Sequence, residues 1–417
     1  MITEATDHPL ADFLAGNADR TGADDFVGAA LHTVRAHLGM DIAFISEFKA
    51  GRQYCRFVDS ARRQTSIEVG QSDPFDQGYC KFVVDGVLPQ LIPNTANVLA
   101  AAAMPVTSAL PIGAHVGVPI RLADGTVYGT FCCFSYSPDE SLNARDLHTV
   151  TAFADLVAYR IDRDLKTDAL QQERIARVRR LFDSSVLSIV YQPIFNLAQQ
   201  TRVGLECLSR FAAEPRQSPD RWFSEAADVG LGMELELAAV RAAVQDFELV
   251  PDNCYLSVNV SPVAVMSGNL AAALAGGIPE RIVLEVTEHA SVEDYQQLGR
   301  ALEPFRTKGM RLAVDDVGAG FASMSHVLNL KPDLIKLDIS LIRGIDGDTG
   351  RLAMSAALVT FAERTGCMVV AEGVETAAEL ETLRNIGVHF GQGYLLGRPS
   401  ALSPATSRFP VGAAATA

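Results

Sequence analysis

The second half of the chain alternates short apolar runs with longer stretches of helical periodicity. The apolar runs lie at residues 189–196, 203–211, 255–260, 282–286, 311–317, 334–339, 368–373 and 388–395. Segments between them, such as 223–240 and 351–365, carry apolar residues at the spacing of amphipathic helices. Eight strands alternating with helices over roughly 200 residues predict a (β/α)8 barrel of the α/β class. Only residues 198–202 separate the first two runs, which is too short for a crossover helix, so this pair is predicted to be antiparallel.

The first half mixes helical and strand patterns. Residues 25–38 have the periodicity of an amphipathic helix, and residues 42–48, 54–58, 115–121 and 126–136 have the pattern of strands. The pair Asp124-Gly125 stands between the last two runs, which is a strong hairpin signal. The N-terminal half is therefore predicted to be an α+β domain whose antiparallel sheet is flanked by helices.

The segment 146–182 contains neither proline nor glycine, and its apolar residues recur near heptad spacing. Polar residues in the middle of the series, Asp164, Asp168 and Gln171, weaken a continuous coiled-coil seam. Two interpretations follow. One is a straight helix that joins the two halves. The other is a helix that ends one domain, a hinge, and a helix that opens the next.

Composition and charge narrow the classes of function. Hydrophobic residues make up 48% and charged residues 20% of the 417, which is typical of globular domains rather than disordered or fibrous chains. The net charge of −15 disfavours binding to a nucleic-acid polymer. Seven cysteines without a C-x-x-C pair indicate neither a disulfide framework nor a structural zinc site. The acidic start and the short apolar runs predict a cytoplasmic protein without a membrane segment.

Charged and polar residues lie at the C-terminal ends of the predicted barrel strands, which is where barrel enzymes carry their reactive groups. They are Glu206, Asn259, Glu285, Asp315, Asp316, Lys336, Asp338, Glu372 and Glu375. One acidic residue at a strand end is more often a helix cap or a solvated charge. Because so many of these residues lie at the same end of successive strands, they are predicted to form one shared site. Burying their negative charges together requires cations.

The ligand types indicate which cations. Carboxylate and amide oxygens, without histidine or thiolate, favour Mg²⁺ or Mn²⁺ over Zn²⁺. The adjacent Asp315 and Asp316 can serve two ions about 3.5–4 Å apart. Such a site activates a water and supports the leaving oxygen in phosphodiester hydrolysis. Lys336 fits as a partner for that water or for the departing charge.

The second half also carries eight motifs in the order found in EAL domains, namely YQPI, LECLSRF, VNVSP, LEVTE, VDDVGAG, IKLD, AEGVE and GQGYLLGRP. It resembles this family of cyclic di-GMP phosphodiesterases over essentially its whole length. The resemblance implies an enzyme that uses two metal ions to open cyclic di-GMP to the linear dinucleotide pGpG, and it implies a homodimer. The sequence has no G-G-[DE]-E-F signature of a diguanylate cyclase, so synthesis of cyclic di-GMP is not expected.

The resemblance also implies a role for each matching residue. The metal ligands would be Glu206, Asn259, Glu285, Asp315, Asp316 and Glu372. The catalytic residues would be Glu372 as ligand or general base, Lys336 as a contact of the attacking water, and Glu288 as the anchor of the loop after Asp316. The substrate contacts would be Gln192, Arg210, Asp338, Glu375 and Gln392. The guanidinium of Arg210 suits a phosphate because of its fork geometry.

Two features depart from the family pattern. Cys207 replaces the alanine of the name-giving motif, and its side chain is predicted to point outward to the helices because Glu206 points inward. In the loop DDVGAGFASM, the usual phenylalanine, threonine, tyrosine and serine are replaced by Val317, Ala319, Phe321 and Ala322. In the family this loop couples dimer contacts to metal occupancy, so the changes bear on regulation and rate more than on catalytic competence.

The hairpin VGVPIRLADGTVYGTFCCFS and the helix after SPDESLNARDL resemble a GAF domain, a small ligand-sensing module. The predicted organisation is a tail (1–20), a GAF-like sensor (21–163), a linker helix (164–184), the EAL barrel (185–403) and a second tail (404–417). The GAF ligand stays unknown, because the N-K-x-F-D-E pattern of cyclic-nucleotide-binding members is missing from the sequence. Cys80 and the Cys132–Cys133 pair suggest a bilin attachment or a redox switch, with buried inert thiols as the ordinary interpretation.

Two alternatives to the enzyme remain open at this point. The pocket could hold cyclic di-GMP without turnover, as a receptor that signals through the sensor domain or a partner protein, or the barrel could be a scaffold. Receptor-type members usually lose the first glutamate or the double aspartate, whereas Glu206, Asp315 and Asp316 are present here. Buried carboxylates without a use cost stability, which argues against a scaffold.

Overall fold

A computed structural model of the chain describes residues 23–62, 66–74, 76–286, 294–318 and 321–402. The chain divides into two compact units, one on either side of residue 170. Among the described residues, no helix combines the length and the apolarity that crossing a bilayer would require. The predicted tails 1–20 and 404–417 lie outside the described ranges.

The N-terminal unit is built on a six-stranded antiparallel sheet with the order β3-β2-β1-β6-β5-β4. Its elements are α1 (Ala23–Leu38), β1 (Ile42–Lys49), β2 (Arg52–Ser60), β3 (Ser72–Pro74), α2 (Tyr79–Val84), β4 (Leu91–Ile92), α3 (Leu99–Ala102), α4 (Pro105–Ala109), β5 (Ala114–Arg121), β6 (Val127–Ser135) and α5 (Ala144–Arg179). The predicted hairpin is confirmed: β5 and β6 pair around Gly125, whose φ of 86° is one that glycine adopts without strain.

Two apolar layers cover the two faces of this sheet. On one face, α1 and the first part of α5 pack through residues such as Val34, Val150 and Val157, all fully buried. On the other face lie the short helices α2 to α4, with Cys80 and Phe134 in the layer between helices and sheet. The α+β prediction for this half is therefore confirmed.

Helix α5 covers most of segment 146–182. It runs without a break from Ala144 to Arg179 and is followed by a 3-10 turn at Arg180–Phe182. Its N-terminal part is apolar where it meets the sheet, up to Ile161, and residues 162–177 are mostly exposed.

The C-terminal unit is a closed eight-stranded barrel with helices between its strands. Its elements are β7 (Leu187–Asn196), β8 (Thr201–Phe211), α6 (Pro219–Asp228), α7 (Gly232–Gln245), β9 (Tyr255–Val260), α8 (Pro262–Met266), α9 (Leu270–Ala273), β10 (Ile282–Val286), α10 (Tyr295–Thr307), β11 (Arg311–Val317), α11 (Phe321–Leu330), β12 (Leu334–Leu337), α12 (Ile339–Ile342), α13 (Thr349–Thr365), β13 (Met368–Ala371), α14 (Ala377–Asn385) and β14 (Phe390–Gly391). All eight predicted strands are present.

The strand directions confirm the barrel prediction, including the antiparallel first pair. Strand β7 is antiparallel to both of its neighbours, β8 and β14, and every other neighbouring pair is parallel. The last strand is shorter than the predicted 388–395. After Gly391 the backbone turns at Gly393, which packs so closely on Val374 that a Cβ would lie 2.2 Å from its nitrogen. The Leu395 amide then donates to the Val374 carbonyl at 3.1 Å.

Candidate active site

Inside the barrel, an apolar layer lies directly below a polar one. The apolar layer includes Val283, Ala313, Leu334 and Val370, which pack against one another. Side chains two positions apart on a strand share a face. The residues two positions further along these four strands are Glu285, Asp315, Lys336 and Glu372. The four polar side chains are therefore delivered to the same end of the barrel interior, from β10, β11, β12 and the residue after β13.

A local irregularity brings Asp316 to the same site as Asp315. In a regular strand the two carboxylates would point to opposite faces. The pairing of β11 with β12 shifts register between Val314 and Val317, and Asp316 has a left-handed φ of 55°. This extra residue in the strand is a β-bulge, which redirects a side chain. As a result, single carboxylate oxygens of Asp315, Asp316 and Glu372 lie within 4.8 Å of one another.

Lys336 is the central cation of the cluster. It is fully buried, and its Nζ makes ion pairs with four carboxylates, which come from β8, β10, β11 and the residue after β13. The Nζ–oxygen distances are 3.2 Å to Glu206, 3.0 Å to Glu285, 3.1 Å to Asp315 and 2.6 Å to Glu372. An ammonium has only three N–H donors. Because four carboxylates surround it, Lys336 attracts this carboxylate ring by charge as well as by hydrogen bonding.

Neutral side chains orient two of the carboxylates. Gln392 Nε2 donates to Glu206 Oε2 at 2.6 Å, and the Asn259 amide also hydrogen-bonds to Glu206. Ser257 Oγ donates to Glu285 Oε1. Gln392 Oε1 is buried and has no hydrogen-bond partner among the described residues, so this amide keeps an acceptor free at the site.

The protonation of the cluster reflects burial and crowding of like charges. Burial raises the pKa of Glu285 to about 8, aided by Glu206 and Asp315 and opposed by Lys336. Burial likewise raises the pKa of Glu372 well above its usual value. For Glu206, burial is outweighed by Lys336 and Gln392, and its pKa is lowered. Burial is also outweighed at Lys336, where the surrounding carboxylates hold the ammonium pKa well above normal.

The geometry of the cluster suits divalent cations. Two groups of three carboxylates have ligand atoms within 4.8 Å of one another, the first formed by Glu206, Glu285 and Asp315 and the second by Asp315, Asp316 and Glu372. Asp315 belongs to both groups. Five carboxylates face one ammonium in this described part of the barrel, which leaves four negative charges when all are ionised. Two divalent cations carry the opposite charge, and oxygen-only ligands suit hard ions.

The other predicted site residues have different surroundings. Gln192 is the cross-strand partner of Glu206 and donates to the Gly397 carbonyl at 3.2 Å. Arg210 is exposed, two strand positions beyond Leu208 on the Glu206 face, and donates to the Ser209 carbonyl. Asp338 caps α12 by accepting from the Ser340 amide, and the exposed Glu375 pairs with Arg343. Glu288 lies outside the described residues.

The two departures from the family pattern are Cys207 on β8 and the loop after Asp316. Cys207 is buried in the cluster of strand and helix side chains that includes Leu237 and Val240 of α7, so it faces the helices as predicted. Val317 is buried at the end of β11. Ala319 and the side chains of Phe321 and Ala322 are outside the described set.

Two functional side chains were missed by the sequence analysis. Ser257 orients Glu285, and its one signal was its place two positions before Asn259 on the same face of β9. Glu379 is fully buried and accepts the backbone N–H groups of Gly344, Glu375 and Thr376 at 2.9–3.0 Å. It fixes the loop between Glu372 and α14, and the sequence Thr376-Ala-Ala-Glu379 carries the signature of the capping box observed there.

Comparisons with known proteins define the class of this chain. Residues 175–399 match the EAL domain family model, and residues 23–161 match the GAF domain model. The EAL match covers more than half of the chain, so the chain belongs to the EAL domain family. The solved structure of the EAL enzyme Bd1971, in its cAMP- and cyclic-di-GMP-bound form, has the same fold. It is 16% identical with a TM-score of 0.53, and covers 87% of this chain and 91% of that one.

Some of the relatives are named as cyclic di-GMP phosphodiesterases. The chain is 30% identical over 221 residues to the probable cyclic di-GMP phosphodiesterase PdeD of Escherichia coli, covering 51% of this chain and 41% of that protein. It is 31% identical over 251 residues to the cyclic di-GMP phosphodiesterase NbdA of Pseudomonas aeruginosa, covering 57% of this chain and 32% of that protein. The chain spans less than half the length of the curated relatives it matches, between 31% and 44%.

Proposed function

We propose that the C-terminal unit is a phosphodiesterase that opens cyclic di-GMP to linear pGpG with two Mg²⁺ or Mn²⁺ ions. The observation that carries this proposal is the pair of carboxylate groups that share Asp315 at one end of the barrel. The family membership and the names of the relatives support the choice of substrate. The proposed unit extends over residues 185–403, with the GAF-like unit at 21–163 as its regulator and residues 164–184 as the link.

The ligand set divides between the two ions. Glu206, Asn259, Glu285 and Asp315 would hold one ion, and Asp315, Asp316 and Glu372 would hold the other. When bound, the ions would supply a water of lowered pKa and would polarise the phosphoryl group whose phosphorus atom that water attacks. Asp315 would serve both ions, because it alone belongs to both described groups of carboxylates.

The protein's own groups orient and complete this site. Gln392 and Ser257 hold Glu206 and Glu285 in place, which keeps ligand oxygens from rotating away. Lys336 supplies N–H donors at the centre of the ring, where it can stabilise the attacking water or the departing oxygen. Glu372 is either a ligand or the general base, and Glu288 is assigned to anchoring the loop after Asp316.

Substrate recognition is assigned to groups around the cluster. Arg210, at the exposed end of β8, suits a phosphate of cyclic di-GMP because a guanidinium can bind two oxygens at once. Gln192, Asp338, Glu375 and Gln392 complete the proposed contacts. A homodimer is the proposed assembly, in keeping with the family.

Product analysis tests the proposal. The purified full chain is incubated with cyclic di-GMP and Mn²⁺, and the mixture is chromatographed for pGpG. We expect pGpG with the parent protein, loss of product in EDTA, and a fall of at least about 10³-fold in Glu206→Gln, since that carboxylate is a proposed ligand. Glu303→Gln, an exposed glutamate on α10, is the matched control and should keep full activity.

Two outcomes would contradict the proposal. Tight binding of cyclic di-GMP without pGpG would identify a receptor instead of an enzyme. Product formation that survives Glu206→Gln would refute the site assignment. Ca²⁺ should inhibit, because its larger and looser shell of 6–8 oxygens does not hold the water as Mg²⁺ does.

A further inference from the structure

Two cysteines meet in the apolar layer between the sheet and the short helices of the N-terminal unit. Cys80 lies in the first turn of α2, and Cys132 lies on β6, the neighbour of β1 and β5 in the sheet. Both side chains are fully buried, and their sulfurs are 3.6 Å apart. The two residues are far apart in sequence, so this contact depends on the folded unit.

Hydrogen bonds link the Cys132 sulfur to two buried hydroxyl groups of the sheet. Cys132 Sγ is 3.2 Å from Thr130 Oγ1, which is 2.8 Å from Ser46 Oγ, and both hydroxyls are fully buried. The hydrogen bond from Cys132 lowers the pKa of Cys80 despite its burial, with further help from Thr130 and Ser46. Burial raises the pKa of Cys132 well above normal. The two pKa shifts have opposite directions, so Cys80 is the sulfur of the pair that loses its proton more readily.

A neutral histidine lies beside the pair. His115 is fully buried, and neither ring nitrogen has a hydrogen-bond partner among the described residues. Burial lowers its pKa to about 3, so the ring is uncharged near neutral pH. His115 Nε2 and Cys132 Sγ lie 3.2 Å and 3.1 Å from the point that a Gly117 Cβ would occupy. The missing side chain of Gly117 leaves room there for both the imidazole and the sulfur.

We propose that Cys80 and Cys132 form a peroxide-reactive dithiol in the N-terminal unit. The Cys80 thiolate attacks one oxygen of hydrogen peroxide, the O–O bond breaks, and Cys80 becomes a sulfenic acid while hydroxide leaves and is protonated to water. The Cys132 sulfur then attacks Cys80 Sγ, the S–O bond of the sulfenic acid breaks, and the departing hydroxide takes the Cys132 proton, giving a disulfide and a second water. Overall, two thiols lose two hydrogens and one peroxide is reduced to two waters.

The other two cysteines of the N-terminal unit, Cys55 and Cys133, lack this arrangement. Cys133 is the neighbour of Cys132 on β6, but it points to the opposite face of the sheet, and burial raises the pKa of its thiol. Cys55 packs in the same layer as Cys80, and burial raises its pKa to about 12. Both thiols are therefore protonated at neutral pH and react slowly with peroxide.

Peroxide reaches the pair through the helices that cover it. Helices α2, α3 and α4 span only six, four and five residues, lengths at which a helix depends on tertiary packing and opens locally at low cost. A molecule as small as hydrogen peroxide needs only a brief opening. We expect oxidation over minutes, slower than for an exposed thiolate.

Mass spectrometry of the full chain tests the proposal. The reduced protein is treated with hydrogen peroxide, the free thiols are alkylated, and the digest is searched for cross-linked peptides. We expect a peptide that joins Cys80 to Cys132, lighter by two hydrogen atoms, and a loss of two of the seven free thiols that dithiothreitol reverses. Absence of this peptide, with peroxide present in excess while the protein stays folded, would overturn the proposal.

Variants separate the roles of the two sulfurs. Cys80→Ser should abolish both the cross-link and the early oxidation, whereas Cys133→Ala is the matched control and should leave the cross-link unchanged. Cys132→Ser should leave Cys80 as a sulfenic acid that dimedone traps. If peroxide instead joins Cys80 to Cys55, or oxidises Cys133 first, the assignment of the pair is wrong. Circular dichroism checks that each variant is folded.

Discussion

Replacing Lys336 by methionine gives the sharpest test of how the carboxylate ring is held together. Methionine keeps most of the length of the side chain and removes the charge. Lys336 is about 1% exposed and contacts four carboxylates at 2.6–3.2 Å. Removing one partner of a buried ion pair typically costs about 3–5 kcal/mol, because the opposite charge is left without compensation. We therefore expect Lys336→Met to lower the free energy of unfolding by about this amount in EDTA.

The single tryptophan makes this measurement specific to the C-terminal unit. Trp222 on α6 is fully buried there, so its fluorescence reports the unfolding of that unit in urea. With an m-value of about 2–3 kcal/mol/M, a loss of this size lowers the urea midpoint by roughly 1–2 M. Mn²⁺ should restore more stability to the variant than to the parent protein, because a bound cation supplies the missing positive charge.

The exposed Lys308 provides the control. Lys308→Met makes the same chemical change at the surface and should shift the free energy of unfolding by less than about 0.5 kcal/mol. If Lys336→Met is as stable as the parent protein in EDTA, then the carboxylates do not depend on the ammonium. Equal stabilisation of both proteins by Mn²⁺ would contradict the idea that metal and lysine neutralise the same charges.

Three further predictions concern single residues. Asp316→Val should be about 1–2 kcal/mol less stable than Asp316→Asn in Trp222-monitored urea unfolding, because a β-branched residue disfavours the φ of 55°. Glu379→Ala should cost about 3 kcal/mol in the same assay, because it removes the acceptor of three backbone N–H groups. His115 has a folded pKa of about 3 against 6.5 in the unfolded chain, so the N-terminal unit loses stability as the pH falls below 6.5. In His115→Phe, the free energy of unfolding should fall less steeply between pH 6 and 4, by about 1.4 kcal/mol per pH unit. Urea unfolding monitored by circular dichroism at each pH measures this difference.

The barrel could be predicted because residues alternate in the sequence with the same two-residue period at which side chains alternate between the two faces of a strand. Strand β10 was predicted at its observed bounds, Ile282–Val286. Since side chains alternate along a strand, the apolar residues two positions before Glu285, Asp315 and Glu372 indicate the face on which these carboxylates lie. The hairpin at Gly125 was predictable for a similar local reason, the turn chemistry of Asp124-Gly125.

The finer geometry of the site depends on pairing between strands, which no local pattern contains. The direction of Asp316 follows from a register shift between β11 and β12. The position of Lys336 follows from barrel closure, which brings together carboxylates from distant strands. By contrast, Glu379 could have been found, because Thr376 and Glu379 have the spacing of a capping box.

The antiparallel strand β7 also determines when the barrel can form. One edge of β7 pairs at once with β8, the next strand made, but its other edge pairs with β14, the last strand of the unit. A nascent chain therefore carries an open, unsatisfied strand edge until residue 391 has left the ribosome, and such edges recruit other chains. Truncation before β14 should consequently give insoluble protein rather than a smaller working barrel.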